Sequence, residues 1–228
     1  MRIEVPQLAA GVRYPEVVEQ YVAIAQEHVP RFTAAMSVVL RHHLVEVASG
    51  AWSFDQESGA ARRQLCVGFV DLVGYTAMSH ASTTRTVLDV IIRFEDLVSD
   101  VLNRSGGRLI KLIGDGAMFV VDDPEHACRM VLDLVASFET DLSMPPVRVG
   151  LAYGAVVASN GDYYGDVVNL AARLAAVAEP DTAVVTAEAI DAFGADVAAE
   201  QLPARALKGF PEPVTAFRLL ADPLSDRA

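Results

Sequence analysis

The sequence predicts an α+β fold, a ferredoxin-like split βαβ core running β-α-β-β-α-β behind an amino-terminal helical segment. Two observations predict it. Beyond residue 63, short apolar runs of strand length alternate with longer stretches in which apolar residues recur every three or four positions, and they fall in that order. The junctions carry matching punctuation. Gly114-Asp115-Gly116 separates two short strands as a hairpin turn, and Asp123-Pro124 supplies a capping carboxylate and a first-turn proline where a second helix opens. With 228 residues, 52% of them apolar, the chain can bury a domain of about 150 to 170 residues plus a smaller appendage.

The appendage is residues 1–48. Val17, Val18, Tyr21, Val22 and Ile24, then Phe32, Met36, Val39, Leu40, Leu44 and Val47, recur at helical spacing, and Pro30 breaks the run into two helices. Their apolar stripes bury against something, as a dimerisation or regulatory element. His42 and His43 are adjacent and point to different sides of a helix, so they do not make a metal pair. Residues 49–63, polar with Gly and Ser, read as a linker. Residues 64–221 form the main domain.

Within it, residues 65–71 are a buried strand, and residues 83–103 form a long amphipathic helix with Ser82 as its N-cap. Strands follow at 108–113 and 117–121, then a helix from Asp123-Pro124 to about residue 142 and a strand at 147–157. The helices are expected on one face of an antiparallel sheet. A third helix (167–177), a strand (183–186) and a terminal hairpin (206–220) extend it.

Composition excludes several classes. A net charge of −12 and a pI near 4.7 argue against binding a nucleic-acid backbone, which needs clustered Lys and Arg. Cys66 and Cys128 each sit in an apolar run, as two reduced buried thiols rather than a disulfide or zinc framework. The amino terminus shows no signal-peptide pattern, and every apolar window is interrupted before the ~20 residues a membrane helix needs. A soluble cytoplasmic protein is the expectation.

The chemistry concentrates at Asp71 and Asp115. Each closes an apolar strand-like run and meets glycine-bearing turn chemistry, in Val70-Asp71-Leu72-Val73-Gly74-Tyr75-Thr76 and in Lys111-Leu112-Ile113-Gly114-Asp115-Gly116. Such a pair can clamp a magnesium ion beside a phosphate. Strand-end aspartates also serve as plain turn residues, so their company decides. Gly74, Tyr75 and Thr76 can present successive backbone N–H groups to phosphate oxygens, although they also fit a simple strand-to-helix turn. Asn169 and Arg173 are four residues apart on one helix face, beside Ala171, Ala172, Ala175 and Ala176 for close packing. The same spacing describes a solvated face.

Four motifs in this order resemble the class III nucleotide cyclases, specifically bacterial homodimeric adenylyl cyclases. They are Phe69-Val70-Asp71-Leu72-Val73-Gly74-Tyr75-Thr76, Lys111-Leu112-Ile113-Gly114-Asp115-Gly116, Val147-Arg148-Val149-Gly150, and Asp162-Tyr163-Tyr164-Gly165-Asp166-Val167-Val168-Asn169-Leu170-Ala171-Ala172-Arg173. The resemblance covers residues 65–220. It implies conversion of ATP to 3′,5′-cyclic AMP and pyrophosphate, with two Mg²⁺ or Mn²⁺ ions per site bridged by Asp71 and Asp115. It assigns Asn169 to the ribose and Arg173 to the developing phosphorane charge. Arg148 is placed on the terminal phosphates, with Lys208 in Leu207-Lys208-Gly209 a weaker phosphate candidate.

Lys111 and Asp162 are the implied adenine readers. Adenine offers an acceptor at N1 and a donor at N6, which an ammonium and a carboxylate complement, and guanine reverses that edge. The resemblance puts Lys111 and Asp115, on one hairpin, on opposite sides of a cleft. That implies a homodimer with two composite sites, Asp71, Asp115 and Arg148 from one protomer facing Lys111, Asp162, Asn169 and Arg173 from its mate. Two other readings stand: a catalytically silent cyclase-like nucleotide-binding or regulatory module, and a guanylyl cyclase.

Overall fold

The computed structural model describes residues 22, 53–54, 61–159, 161–194 and 197–221. The chain separates into two compact units, Met1–Trp52 and Ser53–Ala228. Val22 is helical. The two helices expected over residues 14–47, the His42-His43 pair and most of the 49–63 linker lie outside the described residues.

The second unit is a mixed α+β domain around one open sheet. Its strands are β1 (Ser53–Phe54), β2 (Ala61–Leu72), β3 (Arg108–Ile113), β4 (Gly116–Val121), β5 (Val147–Ser159), β6 (Asp162–Tyr164), β7 (Thr182–Thr186), β8 (Ala199–Gln201) and β9 (Ala216–Leu219). They lie in the order β3-β4-β2-β5-β7-β9-β8, with β1 beside β2 and β6 beside β5. All pairs are antiparallel except β5 with β7. The helices are α1 (Tyr75–Ala81), α2 (Thr84–Arg104), α3 (Pro124–Thr140), α4 (Asp166–Val177) and α5 (Ala187–Phe193).

The two long helices start where side chains replace missing backbone partners. The Thr83 hydroxyl accepts from the Thr86 N–H at 3.2 Å, and the Asp123 carboxylate accepts from the Glu125 N–H at 2.9 Å. Val90, Phe94, Val98, Val101 and Leu102 of α2 are buried, as are Cys128, Met130, Val131, Leu134 and Phe138 of α3. Phe94 and Phe138 close the seam with ring centroids 5.7 Å apart. Cys66, Val70 and Leu72 of β2 and Ala117, Phe119 and Val121 of β4 share that core. Alternation sends Leu65, Val67, Phe69 and Asp71 to the other face.

That second face receives α4, so helices lie on both faces rather than one. Gly150 makes the approach possible: a Cβ there would meet the Ala175 nitrogen at 2.2 Å and the Ala171 oxygen at 2.3 Å. Other departures are local. The N-cap of α2 is Thr83 instead of Ser82, because the seven-residue α1 takes up residues 75–81 and Ser82 ends it. The pairing of β2 extends back to Ala61, which lies opposite Ala158 of β5. The terminal hairpin is β8 with β9 and not a pairing begun at residue 206; residues 202–215 loop between them, tied by the Arg205–Val214 bridge.

The far end of the sheet curls. Lys111 stands level with Met118, Phe69 and Gly150, whereas Asp162 stands level with Ser159, nine residues further along β5. A straight strand would separate those levels by on the order of 30 Å. Lys111 and Asp162 nevertheless form an ion pair, and Arg108 reaches the Tyr163 hydroxyl at 3.4 Å. The end of β5, with β6, therefore folds back over β3.

Candidate active site

Asp71, next to the last residue of β2, is in register with Gly116 on one side and Arg148 on the other. A Cβ on Gly116 would sit 2.8 Å from the Val70 oxygen and 3.3 Å from Asp71 Oδ1, so only glycine lets the turn close this tightly. The Leu72 N–H donates to the Asp115 carbonyl at 3.2 Å, and Gly114 holds the turn with φ 63°. Asp71 and Asp115 are thereby brought together at one end of the sheet.

Arg148 joins them. Its Nη2 pairs with Asp71 Oδ2 and its Nη1 donates to the Ala176 carbonyl at 3.4 Å. Its Nε is buried and has no hydrogen-bond partner among the described residues. An unsatisfied buried donor beside a carboxylate marks a place where an anion would be welcome. Gly74, with φ 74°, precedes α1 beside this pair, and no side chain caps the helix. Tyr75 packs against the core while Thr76 is exposed.

Among the described residues no cluster of three or more His, Cys, Asp or Glu side chains could hold a metal. Two carboxylates alone suit a hard cation that keeps waters and takes phosphate oxygens, which is the habit of Mg²⁺. The donor set fits such an ion arriving with a polyphosphate.

The second cluster stands on β3. The register shifts between Leu109 and Lys111, so a bulge turns Lys111 onto the Asp71 face. Two strand spacings and one two-residue step put the Cα atoms of Lys111 and Asp71 roughly 12 Å apart. Asp162 Oδ2 accepts from Lys111, and Oδ1 accepts from the Tyr163 N–H at 2.9 Å. The Lys111 bond holds the Asp162 carboxyl below the usual carboxylate range, against the opposing effect of desolvation. Asn169 and Arg173 are exposed on α4 and make no side-chain hydrogen bond or ion pair with other described residues.

Residues 59–220 match the sequence family described as the Adenylate and Guanylate cyclase catalytic domain, well over half of the chain. The chain belongs to this class III nucleotide cyclase family. A protein of Mycobacterium tuberculosis strain H37Rv with no characterised function is 41% identical to this chain over 201 residues, 87% of this chain and 52% of that protein. An adenylate cyclase of Streptomyces coelicolor is 33% identical over 156 residues, 68% of this chain and 41% of its own length. The chain thus spans about half, or less, of these curated relatives.

Solved cyclases share the fold. The adenylyl cyclase CyaB from P. aeruginosa superposes with a TM-score of 0.63 at 22% identity, covering 72% of this chain and 96% of that one. The guanylate cyclase domain of RhGC from Catenaria anguillulae, in complex with GTP, superposes with a TM-score of 0.66 at 20% identity, covering 71% and 98%. One architecture serves an adenylyl and a guanylate cyclase, so the fold does not choose the base.

In this cyclase domain Lys208 is exposed in the β8–β9 loop beside buried Leu207, and it pairs with no described residue. Arg108 and Tyr163 escaped the sequence reading. No local signal marked them: Arg108 and Lys111 are three apart on a strand, a spacing that puts them on opposite faces unless one residue bulges.

Proposed function

We propose that this cyclase domain converts ATP to 3′,5′-cyclic AMP and pyrophosphate in a homodimer with two composite sites. The observation that carries the choice of ATP is the Lys111–Asp162 pair, an ammonium and a carboxylate held together by side chains of one chain. The Lys111 ammonium donates to adenine N1 and the Asp162 carboxylate accepts from N6; guanine would set donor against donor and acceptor against acceptor. Asp71 and Asp115 would hold two divalent cations, Mg²⁺ or Mn²⁺, whose chemistry when bound is to acidify the ribose 3′-hydroxyl and neutralise the phosphates.

The remaining groups orient and stabilise. Arg148 exchanges Asp71 for the terminal phosphates, which would also satisfy its buried Nε, and the N–H groups of residues 74–76 and Lys208 add donors there. Asn169 fixes the ribose, and Arg173 meets the charge that grows on the α-phosphorus as the 3′ oxygen attacks in line. Asp71, Asp115 and Arg148 come from one protomer; Lys111, Asp162, Asn169 and Arg173 come from its mate. Asn169 and Arg173, exposed and without a side-chain partner among the described residues, support a site completed across the two-fold. Among the described residues no helix is long and apolar enough to cross a membrane, which supports work in the cytoplasm.

A second reading, a silent nucleotide-binding module, is favoured by one observation: Arg148 already occupies Asp71. Incubation with ATP and Mn²⁺ separates the two. Cyclic AMP formed by the native chain and lost in Asp71→Ala supports turnover; nucleotide binding with no product supports the silent module. Residues 1–48 we assign to regulation or dimerisation. Because β1 pairs with β2 at residues 61–62, a truncation that tests this assignment starts at Ser53.

A further inference from the structure

We propose that Arg108 and Tyr163 are positioning residues that set the base preference by fixing Asp162 before nucleotide arrives, a role that rests on Lys111 and Asp162 reading adenine. In an uninterrupted strand Arg108 and Lys111 would point to opposite faces. The extra residue at Ile110 leaves Arg108 opposite Val120 and Lys111 opposite Met118, two positions on the same face of β4. Both cations of β3 therefore aim at β6 and take hold of neighbouring residues. Lys111 binds the Asp162 carboxylate, and Arg108 Nη2 donates to the Tyr163 hydroxyl at 3.4 Å while its Nη1 pairs with Asp122.

Tyr163 is the link between the two grips. Its ring is buried, and its own N–H donates to Asp162 Oδ1 at 2.9 Å. Movement of Tyr163 therefore rotates the carboxylate that Lys111 faces. Asp122 completes the anchor, because Arg63 of β2 also binds it at 2.9 Å. A base reader on a three-residue strand at the curled end of the sheet needs such a tether, since discrimination by hydrogen bonds depends on donors and acceptors held in place.

The test compares equilibrium binding of unreactive ATP and GTP analogues, in the presence of Mn²⁺, to full-length native protein and to Tyr163→Phe, Arg108→Gln, Arg108→Lys and Asp162→Asn. The expected result is a five- to tenfold loss of ATP-over-GTP preference in Tyr163→Phe and Arg108→Gln, with thermal midpoints close to native and partial recovery in Arg108→Lys. An unchanged preference in both Tyr163→Phe and Arg108→Gln, while Asp162→Asn loses it, overturns the tether and leaves the base readers standing. An unchanged preference in Asp162→Asn itself removes the base readers and the tether together.

Discussion

The two faces of the central sheet are written by the same strands and spend them differently. Under α2 and α3 every alternate residue of β2 and β4 is apolar or glycine, from Cys66 to Leu72 and from Ala117 to Val121, and the seam is closed by Phe94 and Phe138. On the opposite face the same strands end in Asp71, with Arg148 beside it on β5, and β3 turns Lys111 toward β6. Residues one position apart thus divide between holding the domain together and, in the proposed function, meeting the nucleotide. The face that carries charge is the one where a single α-helix, admitted by Gly150, leaves room.

The largest effect should separate the faces outright. Asp71→Ala or Asp115→Ala removes half of the cation-holding pair and is expected to lower product formation on the order of 10³-fold, the several kcal/mol a catalytic cation supplies, with little change in thermal midpoint. Turnover near native in either variant would show that the acidic corner is only a turn. The opposite face should respond in reverse: Phe94→Ala is expected to cost about 3 to 5 kcal/mol in urea unfolding, while nucleotide affinity of the folded fraction stays native.

Gly150→Ala probes the point where both faces meet. The added methyl would strike α4 backbone at Ala171 and Ala175, so stability and nucleotide binding should fall together. Loss of one without the other would mean that α4 is placed by something besides that contact.

Smaller effects concern protons. Lys111 holds the Asp162 carboxyl below the usual carboxylate range, so the ionised pair contributes stability above an ordinary aspartate pKa and loses it only as pH falls through the depressed value. Carboxyl NMR should find Asp162 titrating below a typical aspartate, and moving upward in Lys111→Ala. On the core face burial pushes the Cys66 thiol up to about 12, with Asp123 and Cys128 adding to the rise, and pushes Cys128 up to about 11 against the pull of Arg129. Both thiols should resist an aromatic disulfide reagent at pH 8 until the domain is unfolded; fast labelling of the native protein would contradict the packed face.

Much of this was legible from local chemistry. The Gly114-Asp115-Gly116 hairpin and the Asp123-Pro124 helix start stand where their residues put them, because turn and cap preferences act over a few positions. That Asp71 and Asp115 belong to one site came from the resemblance of the motifs, because the β2–β4 pairing that joins them links Asp71 to Gly116, 45 residues on. What escaped was set by distance. The helix α1 and the β8–β9 pairing lack a strong period, and the curl that carries Asp162 and Tyr163 over β3 depends on contacts 51 and 55 residues apart. Helices on both faces depend on Gly150, whose reason is an approaching backbone and not its own strand.

The composite site is the central claim, and mixing two inactive proteins tests it most directly. Lys111→Ala spoils only the base half and Asp115→Ala only the cation half, so a mixed dimer keeps one intact cleft. After subunit exchange, an equimolar mixture should make cyclic AMP at about a quarter of the native rate, since half of the dimers are mixed and each has one of two sites intact. No product above that of the separate variants, with mixed dimers demonstrated by mass, would contradict the account.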